Sequence, residues 1–127
     1  MRGQQFWLFA HPVGPTNTFD VPHISGAVGH GPEPRQSQLV QYGPMPATCE
    51  LLDGLFLAVR KDMAQAAGLR FDARFDFHFY DMDWCRSARA AGLSLGTWPI
   101  DVVHQSGGAF SEGWHRGLAV YQAKWRD

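Results

Sequence analysis

The prolines divide the chain into two parts of different character. Seven of the eight lie within residues 11–46, where runs such as Gly29-His30-Gly31-Pro32-Glu33-Pro34 interrupt both helical and strand periodicity. From about residue 50 onward, apolar and aromatic residues recur with regular spacing. We therefore predict a loop-rich N-terminal segment over residues 1–49 and a folded region over residues 50–127, within a single domain overall.

Composition limits the classes of protein to which the chain can belong. Hydrophobic residues make up 45% of the 127 positions, which is enough for a packed core. The 11 Lys and Arg against 12 Asp and Glu argue against binding nucleic acid by bulk charge. No apolar run approaches the roughly 20 residues of a membrane span. Cys49 and Cys85 form no metal-binding or disulfide pattern, so we predict buried free thiols in a reducing compartment, the cytoplasm.

The pattern over residues 50–127 predicts a mixed α/β fold. We expect a buried strand over residues 50–59, a helix over 60–67 that ends at Gly68, and a strand or extended loop over 69–79 with its rings on one side. A second helix is expected over 80–91, with a buried stripe formed by Tyr80, Trp84, Ala88 and Ala91. Strands are expected over 93–98 and 100–104, followed by a last helix that Ser111 caps.

One polar residue is out of place in this pattern. Asp53 lies within the apolar run, and a carboxylate in a buried strand is costly unless it is paired or bound to a ligand. Gly54 follows it, and a glycine within a strand can permit close approach of a ligand to the backbone. The alternative is a simple Asp-Gly turn that joins two short strands.

A second group of polar residues has the chemistry of a catalytic site. Asp81 and Asp83 open a predicted helix, where the helix dipole explains one acidic residue but explains two less well. They follow a phenylalanine-rich stretch, and carboxylates near buried rings tend to have a raised pKa, which suits a general base. His104 ends a short strand before a glycine loop. A histidine in this position is either a metal ligand or a partly buried group that forms hydrogen bonds. Carboxylate and imidazole together would suit Mn²⁺ or Mg²⁺.

Five stretches in order resemble the C-terminal, acceptor-side half of a family 2 glycosyltransferase, and the StrF-like branch is the most similar. They are residues 52–60 (LDGLFLAVR), 71–75 (FDARF), 77–85 (FHFYDMDWC), 90–93 (AAGL) and 99–108 (PIDVVHQSGG). The resemblance implies part of a GT-A fold, an α/β structure with a mixed sheet and flanking helices. It also implies transfer of a sugar from a nucleotide-sugar donor to an acceptor hydroxyl.

Roles for single residues follow from the same resemblance. Asp81 matches the general base, with Asp83 as its near neighbour, although Tyr80 stands where the family commonly has Glu. His104 matches a histidine that helps to bind the divalent metal, Mn²⁺ or Mg²⁺, or the diphosphate. Substrate contacts are implied for Asp53, Gly54, Tyr80, Trp84 and Ser106.

Two other functions remain open at this point. In the family, the donor-binding half and its DxD motif lie upstream, and we expect activity to depend on such a half because the chain begins too late to contain it. Without those strands, the chain would be a sugar-binding or self-associating module. An unpaired sheet edge promotes association, so we expect a homodimer formed through that edge. The other alternative is a metal-dependent hydrolase built from Asp81, Asp83 and His104.

Overall fold

The protein combines short strands with helices. The computed structural model describes residues 25–30, 38–100, 103–104 and 111–126, and for strand residues 27–30, 38–42 and 103–104 it describes the backbone. The elements in these ranges are β1 Gly26–His30, β2 Gln38–Gly43, β3 Ala47–Cys49, α1 Lys61–Ala66, α2 Tyr80–Ala90, β4 Leu95–Thr97, β5 Val103–His104 and α3 Glu112–Trp125. The predicted mixed α/β class is therefore correct.

These elements separate into two compact units. The strand unit takes its described residues from within 1–52 and 94–107, and it holds β1 to β5. The helical unit takes its described residues from within 53–93 and 108–127, and it holds α1 to α3. Each unit therefore consists of two separate segments of the sequence.

The strand unit contains two small sheets. In the first, the strand order is β2-β1-β5, with β1 antiparallel to β2 and parallel to β5. In the second, β3 pairs antiparallel with β4, so that Ala47 lies opposite Thr97. Strands β1, β2 and β3 lie within residues 1–49, the segment that the sequence predicts to be rich in loops. The glycines of β1 and β2 interrupt the alternation of side chains that would indicate a strand. Gly26 lies at an irregularity in the β1–β2 register, and its φ of +137 is a conformation that favours glycine.

The strand predicted over residues 50–59 is wrong. Residues 51–60 form a turn and irregular backbone, and Leu55 and Phe56 are exposed. The Asp53 carboxylate accepts a hydrogen bond from the Leu55 amide at 2.9 Å, which closes an Asx-type turn. A turn is therefore present at Asp53-Gly54, but it does not join two strands. The side-chain oxygen of Asp53 offers the backbone an alternative to strand pairing.

Glycines end the first two helices as predicted. Gly68 has φ +62 just past α1 and donates to the Gln65 carbonyl at 3.1 Å, while Leu69 donates to Ala64 at 2.9 Å. The same pair of bonds closes α2 at Gly92, where φ is +81. Both ends are Schellman motifs, which need a residue that tolerates the left-handed conformation.

The core of the helical unit is aromatic. Tyr121 of α3 lies 5.5 Å from Phe79 and 6.4 Å from Phe75, measured between ring centroids. The rings of residues 69–79 do not share one side, because Phe75 and Phe79 are buried whereas Phe71 and Phe77 are exposed. The segment is irregular rather than extended, so period-two alternation does not apply.

The remaining predictions for the helices are partly confirmed. Ser111 caps α3 as expected, with its hydroxyl accepting from the Trp114 amide at 3.4 Å. On α2, Trp84 and Ala88 of the predicted stripe are buried, whereas Ala91 is exposed. Both cysteines are buried as predicted, and no disulfide joins them. In the part of the chain that the structure describes, no helix has the length and apolar character needed to cross a membrane.

Candidate functional site

The first turn of α2 holds a buried carboxylate. Asp81 is 8% exposed. One of its oxygens accepts from the Met82 amide at 2.8 Å, and the other accepts from the Gly54 amide at 2.8 Å. Burial is the main reason why the pKa of Asp81 is raised; the two amide hydrogen bonds oppose this shift, and the nearby charge of Asp53 adds to it. A carboxyl group in this setting holds its proton to a higher pH than an exposed one.

Gly54 is fixed against the same turn of helix. The Tyr80 hydroxyl donates to the Gly54 carbonyl at 3.1 Å, so both backbone groups of Gly54 are bound by side chains of α2. A Cβ at position 54 would lie 2.7 Å from Tyr80 Cζ and 3.1 Å from Asp81 Oδ2, with the Tyr80 hydroxyl nearer still. Burial raises the pKa of the Tyr80 hydroxyl, and the charges of Asp81 and Asp53 raise it further. The structure thus brings together four residues that the sequence singled out.

An aromatic cluster adjoins this position. The Phe71 ring stacks on the buried Trp84 ring with centroids 5.9 Å apart, and it meets the Tyr80 ring edge-on at the same distance. Phe71 is 58% exposed, so it is the accessible ring of the three. The sequence pointed to Trp84 and Tyr80 but missed Phe71, because the run of alternating rings gave no sign of which would be exposed.

Asp83 has different partners from Asp81. Its side chain is 1% exposed, and its Oδ1 lies 2.6 Å from the Lys124 ammonium. The Trp125 indole N–H donates to the same oxygen at 2.9 Å. These are the contacts of a buried ion pair between α2 and α3. The predicted part of Asp83 in catalysis stays a prediction, and its observed contacts stabilise the fold.

Lys124 extends this pair into a network. Its ammonium also contacts Asp72 Oδ2 at 2.8 Å, and Arg74 Nη2 reaches that oxygen at 2.6 Å. The Arg74 guanidinium and Lys124 hold the pKa of Asp72 far below its usual range. Partial burial lowers the pKa of Lys124, but its hydrogen bonds to Asp72 and Asp83 outweigh that effect, so the pKa is raised. Asp72 and Lys124 therefore both stay charged at neutral pH.

Two predicted site residues, His104 and Ser106, come later in the sequence. His104 is the last residue of β5, and the structure describes its backbone. Ser106 lies outside the described residues. Within the described ranges, no three His, Cys, Asp or Glu side chains lie together in a group that could hold a metal ion. The predicted Mn²⁺ or Mg²⁺ therefore stays a prediction that depends on His104.

Comparison with protein-family models, with curated proteins and with solved structures gave no match. The site must therefore be interpreted from its own geometry and chemistry.

Proposed function

We propose that this protein is the acceptor-side part of a GT-A-type glycosyltransferase, in which Asp81 is the general base. The observation that carries the proposal is the state of the Asp81 carboxylate. It is buried, its pKa is raised, and two backbone amides fix its orientation. A base works best when its pKa is closer to the working pH than that of an exposed carboxylate.

The hydrogen bonds of Asp81 leave capacity for a substrate. Each carboxylate oxygen accepts one amide N–H, from Met82 or from Gly54. Because the two oxygens of a carboxylate together have about four acceptor sites, the Asp81 carboxylate can still receive a hydrogen bond from an acceptor hydroxyl. The rigid turn at Gly54 would hold the base in one orientation, which matters because a positioned base is more effective than a mobile one.

The neighbouring rings suit a saccharide. Sugars have an apolar face made of C–H groups, and aromatic side chains offer the matching surface. Phe71 is the exposed ring of the cluster, and Trp84 supports it from the buried side. The Tyr80 hydroxyl is already bound to Gly54, so in this proposal Tyr80 positions the turn and does not bind the sugar.

The reaction then needs one proton transfer at the protein. Asp81 accepts the proton of the acceptor hydroxyl while the oxygen attacks the anomeric carbon of the donor. The new glycosidic bond forms as the bond between that carbon and the nucleotide diphosphate breaks, and the diphosphate leaves with the bonding electrons. Among the described residues, no three His, Cys, Asp or Glu side chains lie together as metal ligands, and the steps above use only the chain's own carboxylate.

The test replaces the base with its neutral isostere. Asp81→Asn is compared with Asp76→Asn, an exposed aspartate of the same unit. Both variants and the wild-type chain are incubated with UDP-, GDP- and dTDP-sugars and a panel of saccharide acceptors, and products are detected by mass spectrometry. Because a positioned base contributes about 10²–10⁴-fold to a rate, Asp81→Asn should lose transfer by at least 100-fold.

The outcome depends on the contrast between the two variants. Near-ultraviolet circular dichroism first establishes that both variants keep the fold of the wild type. Equal transfer by Asp81→Asn and Asp76→Asn would refute the assignment of the base. No product from the wild-type chain with any donor would refute transfer by this chain in the absence of a donor-binding half.

The exposed Phe71 ring favours a second candidate, a sugar-binding module without catalysis. That function needs the aromatic cluster but not the Asp81 base. It predicts that Phe71→Ala abolishes saccharide binding measured by calorimetry, while Asp81→Asn leaves the binding unchanged and the wild-type chain forms no product.

A further inference from the structure

A groove in the helical unit lies outside the site described above. It has a volume of about 410 Å³ and is lined by residues 73–78 and by the first turns of α3. Small-molecule sites have volumes of this order. Its lining combines charged, aromatic and small apolar residues, and Asp81 is not among them.

Two glycines leave part of the groove without side chains. Gly113 and Gly117 both line it, one helical turn apart on α3. A Cβ at position 113 would lie 3.4 Å from the Ser111 hydroxyl, and 3.7 Å from both Arg116 Nη2 and His78 Cδ2. A side-chain atom at position 113 would therefore meet ordinary van der Waals contacts, with a guanidinium, an imidazole and a hydroxyl group around it.

The charged groups of the lining favour an anion. Arg74 and Arg116 both line the groove, against one acidic residue, Asp76. Arg116 pairs with Glu112 at 3.6 Å, but both side chains are strongly exposed, so this contact is weak and easily exchanged for a ligand. Arg74 meets Asp72 through Nε and Nη2, on one edge of its guanidinium. The first turn of α3 adds the positive end of a helix dipole.

The remaining groups give the groove an apolar face and an imidazole that is held in place. Phe77 is 71% exposed, and its ring stands at 79° to the His78 ring, so the two rings are not stacked on each other. The His78 Nε2 lies 3.3 Å from the Ser111 hydroxyl, which holds the imidazole beside Gly113. A solvent-exposed phenylalanine face beside a cationic cradle matches a ligand that is flat at one end and anionic at the other.

We infer that this groove binds a phosphate monoester carried on a ring. The phosphate lies over Gly113 between Arg116 and His78, and the ring lies on Phe77. Phosphate suits the cradle because its three terminal oxygens can accept from several donors at once, and guanidinium groups bind it with two parallel hydrogen bonds. The same chemistry occurs in nucleoside monophosphates and in sugar phosphates.

Calorimetric titration of the full chain tests the inference. The ligands are inorganic phosphate, UMP and glucose 1-phosphate at constant ionic strength. Arg116→Ala and Gly113→Val should weaken binding of both organic phosphates at least about tenfold, because each loses or blocks a charge-assisted contact. Phe77→Ala should weaken both organic phosphates but not inorganic phosphate. Arg70→Ala, an exposed arginine of the same unit that does not line the groove, should have no effect.

Each result of the titrations either supports or overturns the inference. Tighter binding of UMP supports the inference with a nucleotide as the source, and tighter binding of glucose 1-phosphate supports it with a sugar phosphate. Equal weakening by Arg116→Ala and Arg70→Ala overturns it, as does failure of both organic phosphates to bind the wild-type chain at millimolar concentration. Asp81→Asn should leave this binding unchanged, so the fate of the proposed catalytic function does not decide this test.

Discussion

Removal of the Lys124 charge tests the ion pair that joins α2 and α3 in the helical unit. Lys124→Met keeps the length and apolar stem of the side chain but removes the ammonium that contacts Asp83 and Asp72. In the variant, Asp83 keeps its hydrogen bond from Trp125 and Asp72 keeps its pair with Arg74. The loss is therefore concentrated on Asp83, whose carboxylate is left buried with one neutral donor.

The expected magnitude follows from the burial of the two partners. Removing one partner of a buried ion pair typically costs about 3–5 kcal/mol of unfolding free energy. Asp83 is 1% exposed but Lys124 is 22% exposed, and Trp125 still donates to Asp83, so we expect the lower end of that range. For a chain of this length, about 3 kcal/mol corresponds to a fall in Tm of roughly 10 °C.

Urea unfolding and thermal scans of the full chain at pH 7 measure the effect. The matched control is Lys61→Met on the exposed surface of α1, where the change should stay within about 0.5 kcal/mol. A double-mutant cycle with Asp83→Asn isolates the pair, since residues in direct contact show coupling of about 0.5–3 kcal/mol. Equal destabilisation by Lys124→Met and Lys61→Met, or a coupling energy of zero, would refute this account of the network.

Three further predictions concern the other polar groups. Because the pKa of Asp72 is lowered, its carboxylate stabilises the folded state above the ordinary pKa of 3.8, and this contribution is lost as the pH falls further. Asp72→Asn should therefore flatten the acid limb of a circular dichroism titration. Because the pKa of Asp81 is raised, the wild-type chain should lose stability as the pH rises from 3.8 through the folded-state pKa. Asp81→Asn should remove that slope from the urea midpoints, and an unchanged slope would contradict the assignment. Gly54→Ala should cost about 1–3 kcal/mol through overpacking against Tyr80, whereas Gly113→Ala meets ordinary contacts and should be nearly neutral, as urea unfolding of both would show.

The helices could be predicted because their signals are local. The Gly68 and Gly92 stop signals act through bonds that span a few residues, and Ser111 caps α3 across three positions. The strands β1 and β2 were not predicted, although they pair with each other over a short stretch of sequence, because glycines and prolines in and around them interrupt the alternation of a strand. The pairing of β1 with the distant strand β5 leaves no local signal in the sequence. The apolar run around Gly54 was misjudged because a short run of this kind does not distinguish a strand from a turn that is held by side chains.

The candidate site was predictable in part for the same reason. Asp53, Gly54 and Asp81 stood out as residues that interrupt apolar sequence, and the structure places Gly54 against Asp81 although they are 27 residues apart. The sequence alone could not distinguish the role of Asp81 from that of Asp83. That difference depends on α3, whose Trp125 lies 42 residues beyond Asp83 and binds its carboxylate.

The interleaving of the two units has a consequence for how the chain acquires its structure. Residue 29 pairs with residue 103, and the segment between them includes α1 and α2. Pairing over such a separation is slow because the loop must close first, whereas helices form from neighbouring residues. We therefore expect helical hydrogen bonds to gain protection from exchange early in refolding, and those between β1 and β5 to gain it last.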